Sequence, residues 1–338
     1  MRDYFIRRFL LIPPTLLGIT LIVFAITRFV PGGPLERALM EAQMGEQIRT
    51  EDAVGAGGGL SQAQRDRLAE FYGFDQPWYR AYGQWIGKVV RGDLGRSTRY
   101  QVPVWEIMVE KFPISIYFGV VTLIVTYVIC IPLGVTKAIH HRTPFDNTSS
   151  ILVFIGYAIP GYVLGALLLV FLAFRLQWFP TGGFVSDDFA DLSLIGKVID
   201  LAHHTALPLL CYLVGSFAVL TFLMKNSLMD HLAADYMRTA AAKGLRFKQA
   251  VFGHAFRNSL IPIATNFGNN ISIFLTGSFL IERIFNIDGF GLLGYESVVE
   301  RDYPVVMGIL LVSAVLLLIG NILSDMIVAL VDPRIRFR

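Results

Sequence analysis

The sequence predicts an all-α integral membrane protein with six transmembrane helices and an extracytoplasmic segment after the first. Three observations predict it. Hydrophobic residues make up 54% of the 338-residue chain and charged residues only 16%, a balance foreign to soluble domains. Six stretches lack Asp, Glu, Lys and Arg altogether, each near or above the roughly 20 residues that cross a hydrocarbon core. The segments between them separate into a basic set and an acidic set.

The charge-free stretches are 9–27, 113–136, 147–174, 205–224, 258–281 and 303–324. The first leads into Arg28 without a small-residue cleavage site, so it reads as a retained helix and not as a removed signal peptide. Residues 28–112 form a long polar segment in which Gly55 to Gly59 reads as a loop. Ser61 then suits the N-cap of a helical pattern carrying Leu68, Phe71 and Tyr72. The expected organisation is an N-terminal helix plus extracytoplasmic segment, 1–112, and a five-helix core, 113–338, which carries a polar loop at 225–258.

Charge sets the expected orientation. Residues 1–8, the 137–146 and 225–257 segments and the tail after 325 together hold 14 Lys plus Arg. The 176–204 and 282–302 segments hold three, against nine Asp plus Glu. Basic residues stay on the cytoplasmic side, so both termini and the 225–258 loop are expected there. The net charge of +3 then reflects topology. No basic patch interleaved with aromatic residues points to nucleic acid. Cys130 and Cys211 lie inside apolar stretches and read as packing residues.

The 225–258 loop carries the function. It contains Asp235-Tyr236-Met237-Arg238-Thr239-Ala240-Ala241-Ala242-Lys243-Gly244 and then, running into the fifth stretch, His254-Ala255-Phe256-Arg257-Asn258-Ser259-Leu260-Ile261-Pro262. The alanine-rich run has high helix propensity, and Gly244 stands where a helix ends in a left-handed cap. Small side chains give a low-relief face that a groove on another protein accepts closely. A helix lying on lipid is the plainer alternative, but that helix wants a bulky apolar face.

This segment resembles the EAA loop of permease subunits in ABC-type importers, whose pattern is Glu-Ala-Ala, three residues, Gly, nine residues, then Ile-x-Leu-Pro. Arg238-Thr239-Ala240 stand at the Glu-Ala-Ala positions, Gly244 follows in register, and His254 occupies the isoleucine position, while Pro262 comes late. The wording around Arg238–Gly244 and His254–Pro262 is similar to the dipeptide and oligopeptide permeases. Ile155-Gly156-Tyr157-Ala158-Ile159-Pro160 and Gly291-Leu292-Leu293-Gly294-Tyr295-Glu296 resemble the Yej-type permeases, associated with uptake of peptides and microcin C.

The resemblance covers nearly the whole chain and implies the type I ABC importer permease fold. It implies coupling to a cytoplasmic ATPase through Arg238, Thr239, Ala240, Ala241, Ala242, Lys243, Gly244, His254 and Arg257. Ala240 and Gly244 would supply close contact, with Arg238 and Lys243 as charged donors at the rim. It further implies a second permease subunit in a heterodimer, two cytoplasmic ATPase subunits or one fused ATPase, an extracytoplasmic substrate-binding protein, and the bacterial inner membrane. ATP and Mg would sit on the ATPase partners, and no cofactor or metal is expected in this chain.

Missing motifs narrow the reading. No G-x-x-x-x-G-K-[ST], H-E-x-x-H or G-x-S-x-G occurs, so the chain is not expected to be an enzyme. The alternative is a secondary transporter or channel driven by an ion gradient. Proton relays there use ionisable residues inside the spans, and the six stretches hold no acidic residue. Asn266, Asn269 and Asn270 share one face of the fifth stretch at the helical period, and Tyr157 shortly precedes Pro160 in the third. These residues read either as lining of a solvated translocation path or as interhelical hydrogen bonding beside a kink.

Overall fold

A computed structural model describes residues 2–29 and 76–331. The helical pattern from Ser61 and the Gly55 to Gly59 loop lie outside the described residues. Apart from one isolated bridge between Arg96 and Pro103, regular structure among the described residues is helical. The main helices are α1 (Arg2–Phe29), α2 (Trp78–Val90), α3 (Val104–Ile139), α4 (Pro144–Ala158) and α5 (Gly161–Leu168), which runs on as a π stretch (Leu169–Arg175). They are followed by α6 (Leu194–Ala233), α7 (Asp235–Ala242), α8 (Phe247–Ala250), a π stretch (Val251–Ala255) and α9 (Phe256–Ser259). The last four are α10 (Ile261–Thr276), α11 (Phe279–Ile284), α12 (Phe290–Val299) and α13 (Tyr303–Val331).

Among the described residues, four helices, the 20-residue Ile6–Ala25 part of α1 together with α3, α6 and α13, are long and apolar enough to cross a membrane. Their lengths follow from sequence. The 40 residues of α6 rise about 60 Å, twice the roughly 30 Å hydrocarbon core, so this helix projects beyond the lipid.

Two expected spans are not single helices. In the third, Thr143 caps α4 by accepting from Asp146 N, with Pro144 at the first helical position. Pro160 then holds the preceding Ile159 in an extended conformation. The chain turns 89° between α4 and the α5 segment. The fifth expected span is cut into α9, α10 and α11. The 16 residues of α10 rise about 24 Å, short of the hydrocarbon thickness, and the helix stops at Gly277 (φ 74°). Gly277 explains the stop, because few other residues adopt its φ cheaply; the asparagines lie inside the unbroken part of α10.

The chain divides into two compact units. One comprises residues 1–9, 111–293 and 315–338. Its interior holds two apolar clusters, one around Cys130, Leu220, Met224 and Val251, the other around Phe118, Leu207, Ile281 and Phe285. The second unit comprises residues 10–110 and 294–314. Within it, Tyr82 Oη lies 3.0 Å from Thr20 Oγ1. Asp302 is 1% exposed and accepts hydrogen bonds from Ser97 Oγ and from Thr98 N, which fixes the 97–103 turn.

Candidate functional site

The segment expected to couple follows directly on the long α6 helix. After Ala233 the backbone turns extended at Ala234 (ψ 152°) and re-enters a helix as α7. That helix ends as the sequence predicts: Gly244 has φ 84°. Gly244 N donates to Ala241 O at 2.9 Å and Leu245 N to Ala240 O at 3.2 Å, the paired bonds of a Schellman cap.

The structure divides the nine expected coupling residues. Arg238, Thr239, Ala241, Ala242, Lys243 and Gly244 are exposed and form one open surface with Leu245 and Phe247. Ala240 differs from the outward contact expected of it: it is 5% exposed and packs with Met237, Ala250, Val251 and Ala255 in the chain's own core. The 3.6-residue period puts residues 237 and 240 on the inner face of α7, so its polar neighbours face out. His254 is exposed, yet the π stretch at Val251–Ala255 interrupts the α-helical period that would align it with Arg257. Arg257 Nε donates to Val331 O at 2.7 Å, so it caps the last turn of α13.

An ionic lock that sequence reading overlooked stands at the root of this segment. Lys137, counted above among loop charges, is fully buried inside α3, Asp146 is 2% exposed in α4 and Lys225 8% exposed in α6. Lys225 Nζ donates to both Asp146 carboxylate oxygens at 2.8 Å. Lys137 Nζ lies 3.1 Å from Asp146 Oδ1 and donates to Asp146 O, Ser149 Oγ and Ser150 Oγ at 2.8–2.9 Å. All three ammonium hydrogens of Lys137 thus have acceptors. Arg142 N adds a bond to Asp146 Oδ2 at 3.1 Å. Buried charges are tolerated only when paired in this way. The available sequence signal was Ser149-Ser150 beside Asp146, one helical turn apart.

Of the expected path residues, Tyr157 is 53% exposed beside the α4–α5 bend. Asn266 is exposed and donates to Pro262 O of its own helix at 3.0 Å. Asn270 Nδ2 donates to Tyr127 Oη at 3.0 Å, the interhelical bonding that polar residues make in membrane bundles. The side chain of Asn269 lies outside the described residues.

A cavity of about 230 Å³ opens where the two broken helices meet α6, between Tyr162, Tyr212, Ser216 and Ser278. Beside it Glu282, 2% exposed, accepts from Tyr212 Oη at 3.2 Å, Ser278 N at 3.1 Å and Leu292 N at 2.6 Å. The acidic residue just past the fifth stretch, set among Gly277, Gly289 and Gly291, was its only sequence signal.

Long apolar helices, breaks in two others and a seated polar helix on a projecting α6 define a membrane transport subunit. The chain belongs to the family described as binding-protein-dependent transport system inner membrane component, whose model matches residues 130–337. It is 38% identical to the peptidoglycan transport system permease protein YejB of Agrobacterium fabrum, covering 100% of this chain and 99% of that one. It is 37% identical to the oligopeptide transport system permease protein AppB of Bacillus subtilis, covering 100% of both. It is 32% identical to the dipeptide transport system permease protein DppB of Escherichia coli K12, again over 100% of both.

In fold it matches a solved inward-facing structure of the MetNI methionine ABC transporter, with TM-score 0.50 and 16% identity, covering 68% of this chain and 97% of that one. The chain is therefore a multi-pass inner-membrane permease subunit of an ABC-type importer, with the type I permease fold.

Proposed function

We propose that this permease admits peptides or peptide conjugates, and that α7 with the Gly244 turn transmits the motion of a cytoplasmic ATPase to the bundle. The carrying observation is α7 itself. Met237 and Ala240 anchor it in the core while Arg238, Thr239, Ala241, Ala242, Lys243 and Gly244 stay open. A helix seated on one face and bare on the other transmits force rigidly to whatever holds the bare face. Full-length similarity to permeases named for peptidoglycan, oligopeptide and dipeptide transport supports the substrate class.

In this reading the chain pairs with a second permease subunit. It works with two ATPases or one fused ATPase, which carry ATP and Mg, and with an extracytoplasmic binding protein. Six spans cross the membrane, the α10–α11 pair completing one of them, with both termini and residues 225–258 in the cytoplasm. ATP drives the bundle between states only by binding the closed ATPase arrangement more tightly than the open one.

The experiment is ATP-dependent peptide uptake by the assembled complex in proteoliposomes. Uptake is expected with all partners present and none when this chain is left out. Steady ATP turnover by the purified chain alone would contradict the division of labour.

A further inference from the structure

Two helix breaks converge on the cavity beside α6. One is Ile159–Pro160, where α4 turns into α5, and the other is Gly277–Ser278, where α10 stops and α11 begins. Pro160 lies at the middle of the 147–174 charge-free stretch. Irregular backbone at membrane depth is stable only where it is covered by protein or lines a cavity, and discontinuous helices form midplane binding sites in other transporters. Gly161 and Tyr162 from the first break and Gly277 and Ser278 from the second line this cavity, with Tyr212 and Ser216 of α6 completing it.

The wall is mostly apolar, carries no formal charge, and is interrupted by the side chains of Tyr162, Tyr212, Ser216 and Ser278. Tyr212 is held rigidly: its hydroxyl donates to Glu282 Oε1 at 3.2 Å and accepts from Ser278 N at 2.9 Å. Glu282 is in turn saturated by its own chain through Ser278 N and Leu292 N. It positions Tyr212 and Ser278 and presents no charge for a ligand to pair with.

We propose that this cavity is a substrate-contact site of the translocation path, where the hydroxyls of Tyr162, Ser216 and Ser278 bind main-chain amides of a passing peptide and the Tyr212 ring, fixed by Glu282, forms the rigid wall beside them. A hydroxyl both donates and accepts, so it can serve the N–H and C=O groups of any peptide whatever its side chains. The volume of about 230 Å³ is below the roughly 300 Å³ at which pockets enclose a whole small ligand, so the site grips a short segment at a time. The proposal rests on the peptide reading above.

The test uses the complete importer in proteoliposomes with radiolabelled trialanine. The triple variant Tyr162→Phe, Ser216→Ala, Ser278→Ala removes three hydroxyls without adding bulk and leaves Tyr212 in place. Trialanine moved per ATP hydrolysed is expected to fall about tenfold, as loss of two or three hydrogen bonds implies. Complex assembly and trialanine binding by the binding protein should stay unchanged. An unaltered ratio overturns the site.

A second measurement needs no variant. A trialanine analogue carrying a diazirine, irradiated during turnover of the unmodified importer, should label the segment containing Tyr162 or that containing Tyr212 and Ser216. Labelling confined to other segments overturns the site. If the unmodified importer hydrolyses ATP in response to its binding protein but moves no trialanine, the peptide reading itself fails and this proposal falls with it.

Discussion

Lys225 Nζ lies 2.8 Å from both carboxylate oxygens of Asp146, across 79 residues of sequence. The pair ties the first turn of α4 to α6 at a point ten residues before α7 begins. It joins the helix that leads into α7 to the helix whose far end bends at Pro160.

Removing the shared acid should therefore damage the fold. Asp146→Ala leaves two buried ammonium groups without a counter-charge, a loss of about 3–5 kcal/mol for a broken buried pair. The variant is expected to accumulate poorly and to melt early in detergent. Combining it with Lys225→Met removes one of the stranded charges and should recover part of the loss. A double variant no better than Asp146→Ala alone would mean that the lock contributes little.

The two faces of α7 should respond in opposite ways to added bulk. Ala240 is buried against its own bundle, so Ala240→Trp overpacks the core by about 1–3 kcal/mol and lowers accumulation of the permease itself. Ala241 and Ala242 are exposed, and surface changes cost about 0.5 kcal/mol or less. Ala241→Trp and Ala242→Trp should leave accumulation and melting unchanged while reducing ATPase copurification and uptake. Full copurification by both exposed-face variants would remove α7 from the coupling role.

Gly244 separates backbone conformation from contact. A methyl group there meets no atom within 4 Å, but the φ of 84° costs an L-residue about 1–2 kcal/mol. Gly244→Val should unwind the cap and weaken ATPase association severalfold with the bundle intact. Gly244→Asn, which tolerates the left-handed region better, should do less. Equal losses from the two would point to steric contact with the partner and not to the turn.

Helices α10 and α13 cross at a pair of glycines, and a methyl on Gly268 or Gly320 would overlap the other's carbonyl oxygen. Ser324 Oγ accepts from Gly268 N and donates to Ala264 O, both at 2.8 Å. Gly320→Val is expected to abolish folded protein. Ser324→Ala removes the hydrogen bonds this hydroxyl makes between the two helices, each contributing about 0.5–1.5 kcal/mol, and should lower the melting temperature while the protein still accumulates. A Gly320→Val protein of normal stability would contradict this crossing.

The orientation is open to labelling. Ser193 and Gln249 are both exposed, and the basic segments assign them to opposite sides. Singly introduced Ser193→Cys should react with an impermeant reagent in intact cells, and Gln249→Cys only after lysis. The reverse pattern would invert the topology.

Several elements were legible in the sequence because local physics decides them. Absence of charge marks apolar segments whatever their neighbours, Pro160 breaks a helix by sterics alone, and Gly244 ends one because few other residues adopt its φ cheaply. What lies across the chain was not legible. Periodicity gives α7 two faces but does not say which one meets the bundle, so the burial of Ala240 was hidden. Charge counting put Lys137, Asp146 and Lys225 in solvated loops, whereas packing of α3, α4 and α6 closes them into a buried lock. The Gly268–Gly320 crossing and the cavity under Tyr212 arise from segments some fifty or more residues apart. The sequence by itself determined where the chain is apolar, where Pro160 breaks it and where α7 stops. Only tertiary structure decided which polar groups are buried together, because a charge or hydroxyl is stable out of water only when a specific distant partner reaches it.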